Sequence, residues 1–284
     1  MIEKTGAIVL KSMKYRDTSK IVTVYAKRFG KMSCLAKGAR TAKNKFGSSL
    51  EVLVESEIVF YHKQARDLHL LSQASTLRPF KKIHAEGDRL GVALSIAELV
   101  DRLAHEQEEQ ADLYGLLLDA LEALEHSAKN FVNILYAFEV RLAGLFGYAP
   151  NFTRCARCGK ALGTAEQERL LPFLLDKGGP VCAACRESLG PVSEPSEIIR
   201  LGFPSGGAFS RVMIPLRAPT RRLLERLAGA TLSSVPMLEY ESATGNELEE
   251  TLRLYLQYHF DRFRPLRAQA LFGLSRAADR PVRS

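Results

Sequence analysis

The 284-residue sequence predicts an α+β protein, with a small N-terminal β-barrel followed by helices that carry a cysteine-rich insertion. Three observations lead there. Over residues 5–74, β-branched and aromatic residues cluster in short runs broken by Gly, Asp and Lys. Beyond Pro79 the apolar period lengthens from two to between three and four. Four of the five cysteines then occur as two C-x-x-C pairs.

Within the first segment the runs are Thr5–Leu10, Ile21–Ala26, Met32–Ala36, Val52–Tyr61 and Leu68–Ala74. Alternation is plainest in KIVTVYA, where Ile21, Thr23 and Tyr25 face away from Val22, Val24 and Ala26. Five short strands at this spacing fit an OB-type barrel over residues 1–80, with an SH3-like barrel fitting nearly as well. In the second segment Leu90, Leu94, Ala97 and Val100 form one stripe, and Leu113, Leu116, Leu117, Leu121 and Leu124 another. Phe131, Ile134, Leu135, Phe138, Leu142, Leu145 and Phe146 follow the i, i+3, i+4, i+7 spacing of an amphipathic helix that Gly147 and Pro150 stop. Leu223, Leu224 and Leu227, then Leu248, Leu252, Tyr255 and Leu256, resume the pattern. The reading is therefore a helical domain over 81–150 and 192–274, interrupted by an insertion at 151–191 and followed by a disordered tail at 275–284.

The insertion holds Cys155-Ala-Arg-Cys158 and Cys182-Ala-Ala-Cys185, with 23 residues between the pairs. Two such turns place four thiolates around one tetrahedral ion, and four sulfurs leave no coordination position for a reacting water. A structural Zn2+ held by Cys155, Cys158, Cys182 and Cys185 is the expectation, with Gly159 turning backbone N–H groups toward the sulfurs. Glu3 near the start and the lack of a long apolar run argue against an export signal, hence for a cytoplasmic location and against disulfides. No apolar stretch approaches a membrane span. His84-Ala-Glu86 with Pro180-Val-Cys182-Ala-Ala-Cys185 has parts of a zinc deaminase signature, but Val181 separates Pro180 from Cys182, and Cys155 and Cys158 would have no role. The glycines of Leu201–Gly207 lack the lysine and hydroxyl of a phosphate loop, and H-E-x-x-H does not occur. No catalytic group is singled out. Cys34 reads as core.

Charge is unevenly spread. Lys and Arg outnumber Asp and Glu by 17 to 6 over residues 1–82 but are outnumbered 4 to 12 over 83–150, within a net charge of +8. A cationic module of that kind attracts polyanions. Lys37, Arg40, Lys43 and Lys45 fall within nine residues just past a strand run, where they can follow a phosphate backbone. Of the aromatic residues nearby, Tyr15, Tyr25, Phe29 and Phe46, at least two belong in the barrel core. Arg221, Arg222 and Arg226 form a second basic cluster that either extends the DNA surface, holds an acidic peptide tail, or is simply a solvated helix face. An RNA-binding or translation-associated OB and zinc-ribbon protein is the rival reading.

Several segments in fixed order resemble the RecO recombination mediators over nearly the whole chain. They are Tyr15-Arg-Asp-Thr-Ser-Lys20, Gly30-Lys-Met through Ala36-Lys-Gly-Ala-Arg40, Leu68–Ala74, Leu145-Phe-Gly-Tyr-Ala-Pro150 leading into Cys155-x-x-Cys158-Gly159, and Tyr255–Leu271. Asn44-Lys45 stands where many members carry Lys-Ser, and Leu53-Val54 where Pro-Phe is more usual. The resemblance implies an OB-fold, a helical domain and a zinc module. It also implies binding of single- and double-stranded DNA, annealing of complementary strands and, with RecR, help in loading RecA onto DNA covered by single-strand-binding protein. By position, Lys37 and Arg40 match the family's basic barrel residues.

Overall fold

The computed structural model describes all residues except 63–66, 107, 164–169, 190, 202–211 and 275–284, and the side chains of 199–201. The glycine-rich stretch beyond Leu201 and the expected disordered tail lie outside the described residues. The chain divides into two compact units, one of residues 1–127 with 266–272, the other of residues 128–265 with those from Gly273 onward.

In the first unit, β1 (Ile2–Tyr15), β2 (Ser19–Ala26), β3 (Gly30–Ala36), β4 (Glu55–Tyr61) and β5 (Leu68–Arg78) close into a barrel in the order β1-β2-β3-β5-β4. Every neighbouring pair is antiparallel except β3 and β5, which run parallel. That order decides for the OB type. Period-two alternation sends Val22, Val24, Met32, Cys34, Ile58, Phe60 and Leu71 inward, and Phe46 and Leu50 from the β3–β4 connection complete the packing. Each such side chain contributes about 1.5–3 kcal/mol by leaving water. Burial pushes the Cys34 thiol up to about 12, as a core position requires.

Tyr25 departs from alternation, being buried although its neighbours Val24 and Ala26 are inward as well. The reason is that helices cover this outer face. α1 (Lys81–Ala85), α2 (Gly87–Leu103) and α3 (Ala111–His126) follow the barrel. Tyr25 donates to the Gln110 carbonyl, Lys31 Nζ reaches the Asp101 carbonyl at 2.7 Å, and the Tyr114 hydroxyl donates to Glu55 at 2.7 Å. Gly30 (φ +63°) makes the β2–β3 hairpin pass so close that a Cβ there would lie 2.0 Å from the Glu108 carbonyl oxygen. Arg89, only 4 % exposed, caps the carboxyl end of α3 through the carbonyls of Leu124, Glu125 and Ser127.

The second unit begins with α4 (Val132–Leu145). A small sheet then forms from β6 (Leu171–Leu174) and β7 (Gly179–Pro180) with β8 (Met213–Leu216), in the order β7-β6-β8. Its helices are α5 (Ala183–Arg186), α6 (Pro195–Leu201), α7 (Ala218–Gly229) and α8 (Ser242–His259), while α9 (Arg267–Leu271) belongs with the barrel unit. Sequence periodicity did not anticipate β8, which the reading placed in a helical stretch. Phe173 of β6 stacks on Phe152 and meets Tyr255 edge to face, and the Tyr255 hydroxyl donates to the Tyr148 carbonyl. The amide of Asn133 on α4 fastens the Val235 and Leu238 carbonyls, which sets the path of the chain between α7 and α8.

Candidate nucleic-acid interface and metal centre

The loop after β3 brings the predicted cations to one end of the barrel. Lys37, Arg40, Lys43 and Lys45 are all exposed. The Arg40 amide donates to the Thr18 carbonyl at 2.9 Å and its guanidinium to the Arg16 carbonyl at 3.0 Å, which fastens this loop to the β1–β2 turn. Lys45 Nζ donates to the Ser72 carbonyl at 2.7 Å and lies 5.1 Å from the Phe46 ring centroid. Among the described residues, Lys37 and Lys43 have no ionic or hydrogen-bonding partner. Exposed Lys14 and Arg16 join this end, Arg16 lying over the Tyr15 ring. Sequence reasoning passed over these two, although both sit in or beside the Tyr15–Lys20 segment, because only the Arg40 contacts bring the turn and the loop together. Of the four aromatic residues, Tyr25 and Phe46 are core, Phe29 packs on the core from its edge, and Tyr15 is half-buried.

The C-terminal basic cluster splits. Arg222 and Arg226 are exposed on α7. Arg221 is 2 % exposed and donates to the Phe152 carbonyl at 3.0 Å, so the expectation that it meets DNA is corrected: it points into its own unit. Successive helical positions differ by about 100°. Arg221 shares the inward face with Leu224 and Ala218, whereas Arg222 and Arg226 fall on the other.

The two C-x-x-C turns converge. Four Sγ atoms, of Cys155, Cys158, Cys182 and Cys185, lie within 4.8 Å of one another, with Cys158 and Cys182 3.9 Å apart. A tetrahedron with metal–sulfur legs of about 2.3 Å has sulfur–sulfur edges of about 3.8 Å, so the arrangement fits one ion. Gly159 adopts φ +73° and its amide closes the first turn on the Cys155 carbonyl. Burial pushes the Cys155 thiol up, but the amides of Cys182, Cys158 and Arg157 facing its sulfur more than offset that and bring it to about 6. Hydrogen bonding to Cys182 pushes Cys185 up to about 12, and burial raises Cys182. Four crowded thiols resist joint ionisation, and a divalent cation supplies the charge that lets all four ionise. His84 and Glu86 are not part of this group.

A closed basic barrel, helices and a four-thiol cluster of a size to hold one metal ion define a modular barrel protein. Comparison with known proteins specifies which. Residues 1–80 match the model described as "Recombination protein O N terminal", and residues 84–186 the model "Recombination protein O C terminal". The chain is 31% identical over 278 residues to "DNA repair protein RecO" of Rubrobacter xylanophilus, with 98% of each chain covered. It is 30% identical over 272 residues to the protein of the same name from Salinibacter ruber, covering 96% of this chain and 94% of that one. The protein of that name from Chloroherpeton thalassium is 29% identical over 279 residues. The chain belongs to the RecO family of DNA repair proteins. Among the described residues, no helix is long and apolar enough to cross a membrane.

Proposed function

We propose that this protein binds single- and double-stranded DNA through the cationic end of its barrel and anneals complementary strands without covalent chemistry. The observation that carries this reading is the convergence of Lys37, Arg40, Lys43 and Lys45, all exposed, with Lys14 and Arg16 at one barrel end. Fixed cations lower the repulsion between two phosphate chains and raise local strand concentration, while base pairing supplies selectivity. Arg222 on α7 is a secondary contact. Cys155, Cys158, Cys182 and Cys185 hold a structural Zn2+ whose closed four-sulfur sphere braces the second unit and offers no site for substrate.

By family resemblance, the protein works in the cytoplasm at the nucleoid. There it joins RecR and the C-terminal tail of single-strand-binding protein to help RecA onto covered DNA. Annealing is tested with complementary fluorophore- and quencher-labelled oligonucleotides at low salt. The expected result is annealing well above the spontaneous rate, diminished by Lys37→Glu with Arg40→Glu; no acceleration by the wild-type protein would refute the proposal. Capture from nuclease-treated lysate tests the partners: RecR and single-strand-binding protein are expected to be retained without DNA, and loss of both would remove them.

A further inference from the structure

The four-thiol cluster is unevenly buried. Cys155 and Cys182 are 2% and 5% exposed and pack with Leu162, Leu171, Leu174, Val181 and Met213, Cys185 is half-buried, and Cys158 is open to solvent. A closed four-sulfur sphere admits no reacting water, so any chemistry at such a site falls on the sulfurs themselves. Thiolate character and access decide which sulfur an oxidant meets first. Metal binding keeps all four as thiolates, and access singles out Cys158.

Charge points the same way. Exposed Arg154, Arg157 and Lys160 flank Cys158. Arg154 donates to the Gly159 carbonyl at 3.2 Å, and Arg157 donates to the Cys185 carbonyl at 3.2 Å and to the Ser188 hydroxyl, which holds both cations in place around the open sulfur. Electropositive, accessible surroundings of this kind are where thiolates react, and they draw in anionic oxidants such as hypochlorite.

A resolving sulfur is within reach. Cys182 Sγ, on the other turn, lies 3.9 Å from Cys158 Sγ. The Cys155 sulfur faces three amides, those of Cys182, Cys158 and Arg157, which engage its lone pairs and weaken it as a nucleophile. Cys182 faces one, from Cys185.

Resting on the zinc reading above, we infer that Cys158 is an oxidant-modification site, at which hypochlorous acid joins Cys158 to Cys182 as a disulfide and expels the metal. The Cys158 thiolate displaces hydroxide from hypochlorous acid and becomes a sulfenyl chloride. The Cys182 thiolate then attacks that sulfur and chloride leaves. Two thiolates and one hypochlorous acid give one disulfide, one chloride and one hydroxide; the sulfurs lose two electrons, chlorine gains them, and Zn2+ departs with its charge unchanged. Two sulfurs no longer close the sphere around the ion. A disulfide is about 2.05 Å long, so the two sulfurs must approach by almost 2 Å. That shift pulls on the start of α5 and on Val181, whose amide donates to the Pro172 carbonyl of β6 at 2.8 Å. The barrel unit contains no part of the cluster, so its cationic end keeps its geometry.

The test treats the zinc-loaded full chain with one equivalent of hypochlorous acid while pyridylazoresorcinol absorbance reports free zinc. The product is then digested without reduction and its disulfides mapped by mass spectrometry. The larger part of the zinc is expected to be released with Cys158 joined to Cys182, and dithiothreitol with added Zn2+ should restore the bound metal. Cys34→Ser removes the cysteine outside the cluster and should respond as wild type. Exposed Met1, Met13 and Met237 compete for the same oxidant. Zinc still bound once these have become sulfoxides would overturn the inference, as would a disulfide that leaves out Cys158 or stays within one C-x-x-C turn. Retained zinc sinks the switch alone; a chain that neither carries nor takes up zinc would sink the metal reading and this inference with it.

Discussion

Replacing Arg221 separates a structural arginine from an exposed one on the same helix. Arg221 is 2 % exposed and its guanidinium donates to the Phe152 carbonyl, three residues before the first cysteine of the four-thiol cluster. Arg221→Ala removes a charge-assisted hydrogen bond, strands a buried carbonyl and empties the space of a long apolar stem. The bond and the stranded acceptor amount to about 1.5–3 kcal/mol and the stem to about 1.5 kcal/mol more, or about 4 kcal/mol together. Arg221→Met keeps the stem and removes a desolvated charge, which offsets part of the loss, and should cost about 1–2 kcal/mol. Arg222→Ala, on the exposed face, should stay within about 0.5 kcal/mol. Urea unfolding followed by circular dichroism, at constant m-value, measures all three. An Arg221→Ala protein as stable as wild type, or an Arg222→Ala protein destabilised to the same degree, would refute the assignment.

Three further outcomes follow from buried titratable groups and the thiol cluster. Cys158→Ser, or exposure to a strong chelator, should abolish stoichiometric zinc and lower the thermal midpoint; zinc-free wild-type protein melting at the same temperature would contradict this. His69 is 2 % exposed, and burial, reinforced by the nearby His62, holds its pKa below 6.5. The folded chain therefore binds fewer protons at that site than the unfolded one, so its contribution is intact above pH 6.5 and lost as pH falls below it, a slope that His69→Phe should flatten in pH-dependent denaturation. Burial and then the charge of Glu249 push Glu139 up to about 8. The folded state holds a proton that the unfolded state releases near 4.5, so stability from this group falls as pH rises toward 8, and Glu139→Gln should stabilise most at alkaline pH. Equal slopes in variant and wild type would show the carboxyl to be hydrated.

Local signals were legible where one short stretch decides the structure. All five barrel strands lie where β-branched runs placed them, and the C-x-x-C pairs meet as their spacing implies. β1 extends to Tyr15, past the predicted Leu10, because Lys11–Tyr15 pairs with β2 while showing water a mostly polar face that conceals a strand. The predicted run from Val52 shortens to Glu55 because Leu53 takes φ +71° in the turn that hands the chain to β4. What stayed hidden depends on contacts distant in sequence. Met213-Ile-Pro-Leu216 becomes a strand only because β6, some forty residues earlier, supplies its ladder. Arg221 and Arg222 are chemically alike in sequence, and only the helix's inward face, set by Leu224, tells them apart.

The central claim is that exposed cations at one end of the barrel hold phosphates directly. The salt dependence of single-strand binding tests it in the wild type and in a Lys37→Ala, Arg40→Ala, Lys43→Ala variant. Each lost phosphate contact should reduce the slope of log affinity against log salt by about 0.7, or about 2 for three. A variant with wild-type slope and affinity would contradict the account.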